Sequence, residues 1–173
     1  NLGLDTGANA DLRSQLSDQS PNGIAAAKAA TKADLARLEA IDPASLSAEE
    51  RIDLESVLYT RRSAQAVQAF DFGGYSYGPS PYVVSQLSGA YQSVPDFLDT
   101  KHKVATAGDA DAYLMRLRAF ARQIDAQTDR MRHDAGQGVV PPGFILDLAL
   151  EQMGKTRQPA AQALVVQSLA RRT

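Results

Sequence analysis

The chain has no cysteine, no tryptophan and only two histidines among its 173 residues. Without cysteine there is no disulfide, no thiolate metal ligand and no cysteine nucleophile. That absence assigns no compartment, because a cysteine-free chain suits the cytosol and the periplasm alike. Charge of one sign is also missing. Eighteen Lys and Arg stand against 20 Asp and Glu, for a formal net charge of -2. The two signs are interspersed, so no broad field draws in nucleic acid or an acidic membrane. Aromatics are only 6% of the chain, too few for a base-stacking surface. Nucleic acid therefore ranks last among partners. No apolar run approaches the length of a membrane span. The G-x-S-x-G elbow, the P-loop and G-x-G-x-x-G are absent as well.

What remains is a helical pattern. A hydrophobic fraction of 44% over this length suits a single domain, 1–173, with a real core. Residues 1–20 are polar and read as an extended or partly ordered lead-in. Ser20-Pro21 signals a helix start, and Asp42-Pro43 a stop. Ser47 with Glu50 forms a capping box that opens a second helix to about Phe70. The stretch FDFGGYSYGPS, 70–80, holds three glycines and reads as a loop with aromatic anchors, open to a short extended piece. Pro81 begins a third helix to about Gln92, and Ser93-Val94-Pro95 restarts the chain for a turn or two. Asp109 caps the longest helix, to about Ala135. Its apolar stripe runs through Tyr113, Leu114, Leu117, Phe120, Ala121, Ile124, Thr128 and Met131. Arg116, Arg118, Arg122, Asp129 and Arg132 mark its wetter sides. Pro141-Pro142 open another helix, which Gly154 breaks, and a last one spans about Pro159 to Arg171. The expected class is all-α, an irregular array or bundle of about six to seven helices with a Gly/Tyr-rich loop.

Chemistry is harder to find. A hydrolytic zinc site needs two or three clustered nitrogen or carboxylate ligands and a base. His102 and His133 fall on different elements, and nothing in the spacing brings Asp99 or Asp134 to them. They read as solvated or core-bonded side chains, with His133 favoured in a last helical turn. Asp109 and Asp111 sit at a helix N-terminus, where acids interact well with the dipole. Gly73-Gly74 reads first as a turn and second as a place where backbone could approach a ligand. Tyr75, Tyr77, Tyr82 and Tyr91 carry apolar bodies with polar tips, suited to anchoring a loop or lining a cleft.

The order Pro81-Tyr82, Gln86-Leu87-Ser88-Gly89, Val94-Pro95-x-Phe97-Leu98, Lys101-His102-x-Val104 and Gly138-Val139-Val140-Pro141-Pro142 resembles the bacterial domain-of-unknown-function family 885. The resemblance begins at Leu2-Gly3-Leu4-Asp5 and fades after about Met153. Members resemble zinc peptidases of the gluzincin type and carry an H-E-x-x-P-G-H helix that this sequence does not contain. The resemblance implies the N-terminal helical portion of a longer, exported or periplasmic zinc hydrolase. This portion would be non-catalytic by itself: no catalytic, metal or cofactor residue carries over, and zinc would belong to the missing portion. A start at Asn1-Leu2-Gly3-Leu4, without initiator Met or signal peptide, fits a position inside a longer gene product. Within that reading Tyr77, Tyr82, Gln86 and His102 are the expected substrate-cleft residues.

The helices at 143–172 carry Phe144, Ile145, Leu146, Leu148 and Leu150 on several sides, so they expect more than one partner. That partner is the remainder of the polypeptide or a second copy, with a peptide as the candidate substrate. A stand-alone helical interaction or assembly module without enzymatic activity is the competing reading. A small-ligand sensor built on the tyrosine loop comes third.

Overall fold

The computed structural model describes residues 5–74 and 80–173. Among them six α-helices follow one another: α1 Pro21–Glu39, α2 Ala48–Val67, α3 Ala90–Thr100, α4 Ala107–Gly136, α5 Gly143–Thr156 and α6 Leu164–Ala170. Three 3-10 segments, Gly7–Ser14, Pro43–Ser45 and Ala160–Gln162, complete an all-α architecture. The described residues contain no strand, only the isolated bridges Gly74–Ser80 and Ser85–Ser88.

Helices α1 and α2 form an antiparallel hairpin. Ser20 Oγ accepts from Gly23 N–H at 3.2 Å to start α1. The Ser47 capping box is closed both ways, Glu50 N–H to Ser47 Oγ at 3.2 Å and Ser47 N–H to Glu50 Oε2 at 2.8 Å. Arg62 with Glu39 and Gln68 with Thr31 tie the two helices together. Burial is thin here: Leu35 and Leu54 are the buried residues of the pair.

The dense part of the molecule is elsewhere. Ala90, Val94 and Leu98 of α3 pack on Tyr113 of α4, with Phe97, Leu117, Val165 and Leu169 around them. Val83, Val84 and Tyr91 form a second cluster against Ile124, Met131 and Met153.

Several sequence expectations shift. No helix starts at Pro81. Gly89 adopts φ 134°, a conformation L side chains rarely take, and the preceding residues are held in a Ser85–Ser88 turn. One helix, α3, then runs from Ala90 through Pro95. Thr106 is the cap of α4 and Asp109 the third residue of its capping box, each bonded to the other's backbone. Helix α5 continues through Gly154 to Thr156, and the last helix is a 3-10 turn followed by the short α6. In the lead-in, Gly7–Ser14 is a 3-10 helix and Gln15 turns the chain extended.

The largest correction concerns α4. Arg116, expected on a wet side, is buried, whereas Leu114, Ala121 and Thr128 of the expected apolar stripe are exposed. The buried face follows two lines of seven-residue step, Asp109, Arg116, Gln123, Arg130 and Tyr113, Phe120, Gln127, Asp134. Most of its members are polar, because its partners are stretches of irregular backbone with carbonyls and N–H groups to satisfy.

Candidate functional site

The lead-in, residues 5–19, lies as a strap along that polar face. Arg116 donates to Gln15 O through Nε and to Leu12 O through Nη2, both at 2.9 Å, and its Nη2 stands 3.6 Å from Asp5 Oδ2. Arg13 pairs with Asp109. Gln123 Nε2 donates to Ser17 O at 2.6 Å, and Gln127 Nε2 to Gln19 Oε1 at 2.8 Å. The other end of Gln127 accepts Ala90 N–H at 2.9 Å, serving as the cap that Gly89 cannot supply to α3. One buried amide thus links strap, α3 and α4.

Between strap, α1, α3 and α4 lies a cleft of about 620 Å³, within the roughly 300–1,000 Å³ usual for ligand pockets. Leu16 and Gln19 of the strap form one wall, and Ile24 and Ala27 of α1 another. Val94 and Phe97 of α3 and Gln123 and Gln127 of α4 close it, with Gly73 and Gly74 at one end. Gly73 takes φ 86° and sits so close to Ser80 O that a Cβ would lie 2.2 Å from it. Its N–H is held by Asp134 Oδ2 at 2.9 Å. Arg130, on the same rim, pairs with Asp134 at 3.0 Å and Asp71 at 3.3 Å, so its charge is matched before any ligand arrives.

Behind the cleft is a second polar assembly around His102, which is 2% exposed. Its Nε2–H donates to Asp109 O at 2.9 Å, and its Nδ1 accepts from Arg116 Nη1 at 2.6 Å. Those partners fix the neutral tautomer. The Tyr113 ring meets the imidazole edge-on at 5.3 Å. Burial, aided by Arg116 and Arg172, pulls the imidazole below its ordinary value of 6.5 despite the Asp109 carbonyl. Hydrogen bonds from Ala105 N–H and Thr106, with Arg13 adjacent, hold the Asp109 carboxyl below its usual range. Arg172 closes the far side, donating to His102 O at 2.6 Å and Leu98 O at 2.9 Å, carbonyls at the end of α3.

Of the sequence-expected cleft residues, Tyr77 lies outside the described residues. Tyr82 lines a smaller recess of about 210 Å³ with Met131, Val140 and Leu146, above the buried Asp134. Gln86 sits half-buried in the turn before α3, with Oε1 buried and free of hydrogen bonds. His102 is in the core, and the structure does not gather these three into one site. Gln123 and Gln127, which line the larger cleft, were not singled out from sequence. Their seven-residue register with Arg116 and Tyr113 was the available signal.

The described residues hold no group of three or more His, Cys, Asp or Glu placed to bind a metal ion. Both nitrogens of His102 are engaged, and His133 is exposed against Asp71. The donor set does not fit a zinc centre.

A model of the family described as bacterial protein of unknown function (DUF885) matches residues 1–173, and the chain belongs to that family. No curated protein and no solved structure matches it.

Proposed function

From that membership as premise, we propose that the chain is a non-catalytic helical portion of a zinc-dependent peptidase or related hydrolase. In this reading it scaffolds a catalytic part outside these 173 residues and walls one side of the substrate cleft. The observation that supports it is the character of the 620 Å³ cleft. Apolar atoms make up most of its exposed surface although many of its side chains end in polar groups, and its buried amides are committed to holding its own walls in place. No histidine lines it. Such a surface holds a chain by shape, with Asp18, Lys28 and Arg130 as the charged groups along it. Tyr82, Gln86 and Tyr77 remain the proposed outer contacts of a peptide, with His102 acting from behind the wall. An exported or periplasmic location goes with the same reading.

The test is peptide hydrolysis by the complete gene product, with zinc removed and restored, and by this chain alone. Zinc-dependent cleavage by the complete product and none by the chain is expected, with kcat/KM several-fold lower in Phe97→Ala or Tyr82→Ala proteins that keep their helical signal. Cleavage by the isolated chain, or unchanged kinetics in both variants, overturns the proposal.

One observation favours the alternative of an interaction or assembly module. Phe144, Leu148, Leu150, Leu164 and Val166 are exposed large apolar side chains on α5 and α6. Concentration-dependent association in sizing experiments, without any hydrolytic activity of the complete product, is the result that reading expects.

A further inference from the structure

Of the side chains that fasten the strap, the Arg116 guanidinium makes the most contacts, and it leans on a titratable ring. Arg116 Nη1 is seated on His102 Nδ1 at 2.6 Å while its other nitrogens hold Leu12 O, Gln15 O and Asp5. The arrangement works only while Nδ1 is an acceptor. A proton there would turn hydrogen-bond donor against donor and place cation against cation in a buried site. The Asp109 charge favours that proton, but burial, Arg116 and Arg172 outweigh it. From α4, the Asp109 carboxylate is turned to Arg13, Ala105 N–H and Thr106 N–H, and the Tyr113 hydroxyl is spent on Val165 O. From beyond α6, Arg172 adds further positive charge. From the strap, Asp5 faces Arg116 and Arg13 faces Asp109.

We propose that protonation of His102 releases the N-terminal strap and opens the cleft that the strap walls. Arg116 is the group that moves. As it swings from the charged imidazole it gives up both strap carbonyls, and these return to water. The strap is suited to leave. Among its described residues only Asp5 is buried, and Leu16 is its contribution to the apolar cluster. The released segment includes Gln15, Leu16, Ser17 and Gln19, all on the cleft wall. The cleft would therefore be closed near neutral pH and accessible in mild acid. This inference stands on the strap and the ring alone and does not depend on any peptidase activity.

The sign follows from the position of His102. Its proton affinity in the folded chain is below the ordinary value of 6.5. The stabilisation of the closed form is complete above 6.5 and falls as pH drops from there toward the folded-state value. Each unit of depression is worth about a tenfold change in the closed-to-open ratio.

The test is hydrogen exchange of the 5–19 amides in the chain as it stands, corrected for intrinsic rates, between about pH 7.5 and about pH 5. Loss of strap protection is expected, with α3 and α4 still protected. His102→Asn keeps an acceptor beside Arg116 and cannot titrate, so its strap protection should not change over that range. Should that variant fail to fold, the imidazole NMR signals of His102 in the wild-type chain decide. A His102 resonance that titrates with strap opening supports the device. Strap protection that is flat in the wild-type chain, that falls equally in His102→Asn, or that is indifferent to the His102 titration overturns it.

Discussion

The α1–α2 hairpin and the strap–α3–α4–α6 body are built by opposite means. The hairpin has well-formed ends, with a capped start to each helix and a tie in which Arg62 Nε and Nη2 both donate to Glu39 Oε1. Yet it leaves Ile52 65% and Tyr59 75% exposed and buries one leucine per helix. In the body α4 starts on a capping box but α3 and α6 lack any side-chain cap of their own, yet Leu98, Tyr113, His102 and Ser168 are buried almost completely. Local signals therefore hold one half, and long-range polar contacts hold the other. The helices with the clearest sequence signatures are the ones least anchored in the core.

The comparison is broken most strongly by a cavity in the body. Leu98→Ala should cost about 2–5 kcal/mol in urea unfolding, since Leu98 is 0% exposed and packs between α3, Tyr113 and α6. The same change at Leu54 should cost clearly less, because a thin hairpin can close around the gap. Equal losses at the two sites would mean that the hairpin is as well packed as the body.

A smaller effect is expected from Gln127→Leu. It removes no apolar packing but strands the buried Ala90 N–H and frees Gln19, at a cost of about 1–3 kcal/mol. Hydrogen exchange should show the loss at both the start of α3 and the strap. A loss confined to one of them would mean that Gln127 does not link the two.

The smallest effect belongs to the hairpin. Ser47→Ala removes one side of the capping box and should cost about 1 kcal/mol, seen as fraying of the first turn of α2 with the body unaffected. A global loss of stability on this change would show that the hairpin is coupled to the core after all.

Much of the helix content was legible in the sequence, because caps and stops are short-range events. Ser20-Pro21, Asp42-Pro43 and Ser47 with Glu50 announce the hairpin almost to the residue. The errors cluster where partners are distant. Pro81 looks like a helix start, but Gly89 with φ 134° sets the true one at Ala90, nine residues on. Arg116 looks solvated, because a reading by hydropathy cannot know that two carbonyls, a carboxylate and an imidazole will surround it. The cleft was hidden for the same reason. Its amides, Gln123 and Gln127, are ordinary polar letters until the strap is laid across them.

The sequence by itself determined that this is an all-α chain without thiol chemistry, and it carried the order of residues that marks the family. Tertiary structure alone decided which face of α4 is buried, how the strap is held and where the cleft lies. The physical reason is that helix propensity and capping act over a few residues. Burying a polar side chain, by contrast, depends on whether a partner some hundred positions away, as Leu12 is from Arg116, arrives to satisfy it.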